Sequence, residues 1–145
     1  MTEVYASTIV PAPIDEVWDV VGDYGGIAKW HPAVNDTQIK EGPAADQVGS
    51  IRQCELDGGA KLVERQTARS DDERFYSYII TDSPMPMTNC EGTIRLRPVT
   101  DGGATFMEWI SRFDPAPGAE GELSIMMADI YQAGFESLKA RFGGG

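Results

Sequence analysis

Residues 104–142 read ATFMEWISRFDPAPGAEGELSIMMADIYQAGFESLKARF, and the hydrophobic period changes once within them. Ala104 to Phe113 are rich in aromatic and apolar residues and form a strand-like run. Asp114-Pro115-Ala116-Pro117-Gly118 interrupts any regular element. Beyond it, Leu123, Met126, Met127, Ile130, Tyr131, Gly134, Leu138 and Phe142 recur at i, i+3/i+4 spacing over about five turns. A long helix with one apolar stripe needs a second layer to bury that stripe, and the strand before it supplies the layer type.

The rest of the chain supplies the remaining strands. Thr2 to Val10 (TEVYASTIV) is rich in β-branched residues and ends at Pro11. Pro13 suits the first position of a helix, Asp15 and Glu16 suit its first turn, and Ile14, Val17, Trp18 and Val21 repeat at helical spacing up to Gly22. DYGGIAKWHPAV (23–34), punctuated by Gly25, Gly26 and Pro32, reads as one further helical turn between two bends. Asp36–Lys40, Gly49–Glu55, Leu62–Ala68, Phe75–Thr81 and Cys90–Arg97 then read as strands, divided by GPAAD, LDGGA, RSDDE, DSPMP and, before the last strand, PVTDGG. Short links between consecutive strands predict an antiparallel meander. The expected class is α+β: a seven-stranded curved antiparallel sheet wrapped round one long C-terminal helix, with two short helices after the first strand. One helix cannot fill the concavity of such a sheet, so an internal cavity is expected.

The chain has 145 residues, with 12 Lys+Arg against 23 Asp+Glu and a net charge of -11. That length suits a single domain over residues 1–145, with Gly143–Gly145 as a frayed tail. The negative balance argues against nucleic acid and anionic membrane surfaces as partners, since both call for clustered Lys and Arg. There is no basic, apolar leader and no apolar run approaching the ~18 residues of a membrane span, so a cytoplasmic protein without membrane insertion is expected, as a monomer or weak dimer. Cys54 and Cys90 form no CxxC pair, and His31 is the only histidine. Neither a metal site nor a cofactor is expected; P-loop, GxGxxG and nucleophile-elbow patterns do not occur.

Three segments resemble a known superfamily: PAPIDEVWDVVGDYGGIAKWHPAV (11–34), DDERFYSYIITDSPMPMTNCEGTI (71–94) and ADIYQAGFESLKARF (128–142). The chain resembles the SRPBCC or START-like helix-grip superfamily, which includes lipid-transfer domains, pollen-allergen-type proteins and polyketide cyclase/dehydrase-like proteins. WHPAV and PMTNC bring it near the bacterial branch related to abscisic-acid receptors. The resemblance implies a pocket for a small hydrophobic molecule. Carried over by position, its walls are Glu64, Tyr78, Ile80, Met87, Cys90, Gly92, Glu108, Met126, Ile130 and Gly134. Two departures stand out. Trp30 or a neighbour stands where the receptors offer a lysine to a ligand carboxylate, and LDGGA (56–60) replaces their gate sequence. Both point away from hormone-style sensing of an acidic ligand.

Glu64, Glu108 and His31 are the candidate proton-transfer residues. Glu64 and Glu108 each place an acid inside a strand, in LVERQ and MEWIS. Facing inward, such a carboxylate would serve as an acid/base group or as an anchor for a ligand hydroxyl or amine. Facing outward, or paired with Arg52, Arg65, Arg95 or Arg112, it would be structural. His31 is either a general base or the residue that fixes the WHP bend. Met85, Met87, Met126 and Met127 fit an adaptable pocket or a core with gaps to fill, and the prolines of SPMPM fit a stiff gate or an inert connector. Three functional readings follow. The first is a carrier or sensor for a small lipid-like, aromatic or polyketide-like molecule. The second is a cyclase/aromatase-like enzyme. The third is an interaction protein with an incidental cavity.

Overall fold

The structure is a computed structural model that describes residues 1–143. Strand β1 (Thr2–Val10) leads through Pro11–Pro13 into helix α1 (Ile14–Val21) and a 3-10 helix (Tyr24–Lys29). Strands β2 (Val34–Glu41), β3 (Ile51–Leu56), β4 (Lys61–Ser70), β5 (Phe75–Asp82), β6 (Met87–Pro98) and β7 (Thr105–Pro115) follow, and α2 (Glu120–Gly143) closes the described chain. Gly143 therefore ends a helix rather than beginning a tail; Gly144 and Gly145 lie outside the described residues.

All seven strands form one antiparallel sheet in the order β1-β7-β6-β5-β4-β3-β2. The chain from β2 to β7 is an uninterrupted meander, and β1 joins β7 along its full length, from Thr2 opposite Phe113 to Val10 opposite Thr105. Register shifts within the β2–β3, β4–β5 and β6–β7 pairs add local bends that curve the sheet. One shift explains why β6 starts at Met87 and not at Cys90: Asn89 takes a positive φ of 53° between Thr88 and Glu91, and pairing runs on through the irregularity. Gly49, expected to open β3, instead lies in the preceding turn with φ 98°.

The concave face carries the core. Ile94, Leu96, Met107, Trp109 and Phe113 from β6 and β7 are buried there, as are Leu123, Met127, Tyr131, Phe135 and Leu138 of α2. The buried stripe of α2 thus includes Phe135 and leaves Met126 on its exposed flank. Parity on β7 is settled by neighbours: Met107, Trp109, Ser111 and Phe113 point inward, while Glu108 sits between Ser7 and Arg95 on the outer face. No helix among the described residues is long and apolar enough to cross a membrane. Because Leu138 is fully buried between α2 and the sheet, Leu138→Ala is expected to cost about 2–5 kcal/mol in denaturant unfolding.

Candidate functional site

A partly enclosed cavity of about 250 Å³ lies between the 3-10 helix, β2–β7 and α2. Its apolar wall includes Ile27, Val34, Leu62, Ile80, Met85 and Met127. Among its lining residues Asp57 is exposed and Ala33, Val34, Leu56, Leu62, Ile80, Met85 and Ile130 are half-buried, which places the mouth between the start of β2, the β3–β4 turn, the β5–β6 loop and α2. Asn35 Nδ2 donates to Asp57 Oδ1 at 3.0 Å across part of this rim.

One ion pair stands in the wall. Arg52 on β3 is directly opposite Glu64 on β4, and both side chains point to the concave face. Arg52 is fully buried and Glu64 nearly so. Arg52 Nε donates to Glu64 Oε1 at 2.8 Å, while Nη1 donates to the Tyr24 carbonyl at 2.9 Å and to the Tyr76 hydroxyl at 3.3 Å. Nη2 lies 2.7 Å from the same Glu64 oxygen, a charge contact, but makes no directed hydrogen bond among the described residues. The guanidinium carbon also stands 4.0 Å from the centre of the Tyr24 ring. Glu64 is therefore at once inward-facing and ion-paired with Arg52, one of the partners the sequence offered.

An aromatic group lies beside this pair, with the Tyr78 ring centre 5.4 Å from the Arg52 guanidinium carbon. Trp109 stacks on Tyr131, with centroids 4.3 Å apart and planes 20° apart, and its Nε1 donates to the Tyr78 hydroxyl at 3.0 Å. Burial pushes both phenols up, so each keeps its proton at neutral pH. The neighbouring Ser111 and Tyr78 hydroxyls pull the Tyr131 phenol down without reversing that shift, and the Tyr131 oxygen has no hydrogen bond of full geometry among the described residues.

His31 also touches the cavity, but its ring is fully engaged. Nε2 donates to the Ile130 carbonyl at 2.8 Å, which leaves Nδ1 to accept the Ala33 backbone N–H at 3.1 Å. The imidazole therefore staples the loop before β2 to α2. Burial, aided by the Arg52 charge and opposed by the Ile130 bond, lowers its pKa and keeps it neutral.

Of the residues expected in the pocket, Glu64, Tyr78, Ile80 and Ile130 line this cavity, together with His31. The other six do not. Glu108 is on the convex face, where it accepts the Tyr5 hydroxyl at 2.6 Å, because β7 parity directs Trp109 inward. Met126 lies in an open surface groove with Ile125 and Glu122, one position beyond the buried stripe of α2. Met87 and Cys90 border a separate dent at the start of β6; Cys90 keeps the inward parity of Gly92 and Ile94 and packs in the core without lining the main cavity. Burial also raises the Cys90 thiol to about 12, which makes it inert. Gly92 lies under the Tyr78 ring, where a Cβ would come within 2.4 Å of Cζ. Gly134 lets α2 approach the WHP bend, where a Cβ would meet His31 Cδ2 at 2.9 Å and Trp30 at 3.0 Å.

Arg52, Cys54 and Trp109 line the cavity without having been assigned to it from sequence, and so do Met127 and Tyr131, for which a pocket role stood open beside a core role. The signal for Arg52 and Cys54 was alternation within IRQCEL, whose buried positions are two apart. Arg52 places a cation in the cavity wall, and Glu64 balances its charge.

Two outcomes follow. Glu64→Gln leaves a buried guanidinium without its counter-charge and is expected to cost about 3–5 kcal/mol in denaturant unfolding, most of it regained when Arg52→Met and Glu64→Leu are combined. The unfolded chain protonates His31 near pH 6.5 while the folded chain resists. Stability is then complete above that pH and falls below it, by up to about 1.4 kcal/mol per pH unit. Unfolding measured from pH 7.5 to 5.5 is expected to show this slope, and His31→Gln to flatten it.

Comparison with known proteins agrees with this architecture. The family model described as polyketide cyclase/dehydrase and lipid transport matches residues 1–143. Among solved structures, the protein XoxI from Bacillus cereus is 25% identical, with a TM-score of 0.89 over 98% of this chain and 96% of that one. A Thermobifida fusca protein is 30% identical, with a TM-score of 0.89 over 99% and 94% of the two chains. A Nitrosospira multiformis protein is 26% identical, with a TM-score of 0.86 over 97% and 96%. The search of curated proteins found no match. With the family model spanning nearly its whole length and the helix-grip architecture in place, the chain belongs to the polyketide cyclase/dehydrase and lipid transport family.

Proposed function

We propose that this protein binds a small hydrophobic molecule in its internal cavity and serves as a carrier or sensor. The observation that carries this reading is the cavity itself: about 250 Å³, walled mainly by apolar side chains, with one balanced ion pair in its wall. Its volume exceeds the ~150 Å³ of a protein cavity that takes up benzene and falls just below the ~300 Å³ at which ordinary ligand pockets begin. A single-ring or short aliphatic body fits that range better than a sterol. Each Å² of apolar surface removed from water contributes about 25 cal/mol to affinity before the costs of association. Met85 and Met127 in the wall can reshape to varied ligands.

The same geometry favours binding over proton-transfer turnover. His31 has both ring nitrogens occupied, Glu108 lies outside, and Glu64 is committed to Arg52. None of the three candidate bases His31, Glu64 and Glu108 offers an unengaged ring nitrogen or an unpaired carboxylate to the cavity interior, and Asp57 stands exposed at its mouth.

Native mass spectrometry of freshly purified protein tests this. A co-purifying apolar molecule, lost in a well-folded Leu62→Trp variant whose indole fills the cavity, is the expected result. A bare chain mass, together with no thermal shift on adding small apolar probes, would overturn the reading.

A further inference from the structure

The cavity wall holds polar donors whose hydrogen bonds the protein leaves incomplete. Arg52 Nη2 and the Tyr131 hydroxyl are both buried and belong to residues of the cavity wall, and neither makes a hydrogen bond of full geometry among the described residues: Nη2 has only its charge contact with Glu64, and the Tyr131 hydroxyl only the nearby Ser111 and Tyr78 hydroxyls. They come from two different elements of the cavity wall, one from β3 and one from α2. Each is rigidly placed. Arg52 is held by Glu64, Tyr24 and Tyr76, and Tyr131 is stacked on Trp109. The Tyr78 hydroxyl accepts from Trp109 and lies near the Tyr131 hydroxyl. A buried donor left unmade is costly, so a group that satisfies it gains more than an ordinary hydrogen bond.

Charge decides what that group is. Arg52 and Glu64 already cancel, in a wall whose other members are mostly apolar. A carboxylate entering would restore a net negative charge inside and would crowd Glu64; an ammonium would crowd Arg52. A neutral oxygen acceptor satisfies the free donors and leaves the site electrically balanced.

We propose that the cavity is specific for a small, uncharged, largely apolar molecule carrying an oxygen acceptor, with Arg52 Nη2 and the Tyr131 hydroxyl as its donors, and that it discriminates against the corresponding carboxylate. This rests on the cavity being a ligand site, and the test separates the two claims.

Three matched probes are titrated into the intact protein by calorimetry: ethylbenzene, acetophenone and benzoate. Acetophenone and ethylbenzene differ in one carbonyl, so ethylbenzene reports on the apolar cavity alone. Acetophenone is expected to bind roughly tenfold more tightly than ethylbenzene, the worth of one good hydrogen bond. Benzoate is expected to bind at least tenfold more weakly than acetophenone. Tyr131→Phe, which keeps the ring and its stacking, is expected to reduce the acetophenone preference to about threefold or less without changing ethylbenzene affinity. Equal binding of ethylbenzene and acetophenone, a preference that survives Tyr131→Phe in full, or benzoate binding as tightly as acetophenone would each overturn the assignment while leaving the apolar site standing. If none of the three binds, the cavity reading falls and the donor assignment falls with it.

Discussion

A fully buried guanidinium sets the terms for half of this molecule. Taking Arg52 and Glu64 out of water costs several kcal/mol per ion, and only good geometry with further hydrogen bonds offsets it. Those bonds come from separate parts of the chain: Glu64 from β4, Tyr76 from β5 and the Tyr24 carbonyl from the 3-10 helix. The position of the helical segment after α1 is thereby tied to the register of β3 on β4. A slip of one residue would send Arg52 to the convex face and leave the Tyr24 carbonyl and Glu64 unpaired inside. Arg52 also packs flat on the Tyr24 ring, so the segment is held by dispersion and charge as well as by a hydrogen bond.

The cavity follows from an unequal match of areas. Seven bent strands make a concave surface much wider than one helix. Leu123, Phe135 and Leu138 fill the part under β1 and β7, where α2 packs closest. Gly134 allows the helix to settle onto Trp30 and His31, and the His31 bond to the Ile130 carbonyl fixes its height above the loop. Toward β3, β4 and β5 the helix gives out, and the remaining space is walled by Arg52, Glu64, Tyr78 and their apolar neighbours. The site is thus the part of the core that a single helix cannot reach.

Much of the fold was legible because it rests on local pattern. β1 and α1 fell where β-branched composition and the Pro13 start placed them, and the meander followed from turn residues at short intervals. The site was less legible, because its residues are chosen by parity and register. On β7, Phe106, Glu108 and Ile110 alternate with Met107, Trp109 and Ser111, and both sets are largely apolar. Only the partners Ser7 and Arg95 on the neighbouring strands decide that Glu108 faces out. Met87 lies at the start of β6, before the irregular pairing at Asn89, and Cys90 keeps the inward face yet packs in the core beside the cavity. No periodicity distinguishes those places from the cavity wall. Met126 and Met127 differ by one position, a 100° rotation on a helix, and that rotation separates an open groove from the cavity.

The acid surplus of the chain takes on a definite meaning once these positions are known. Arg52 and Glu64 cancel inside, so the entire net charge of -11 is carried by the remainder of the chain. Glu108 belongs to that remainder, and Asp57 places one of its charges at the cavity mouth. A negative exterior lowers the local concentration of anions and slows their approach, an effect that salt weakens. The balanced interior disfavours a buried anion for a different reason, the loss of solvation, which salt does not relieve. Two electrostatic filters with different salt dependence therefore act in series, one at the mouth and one at the wall. On the proposed reading, an uncharged molecule avoids both penalties, and the apolar walls then contribute to holding it.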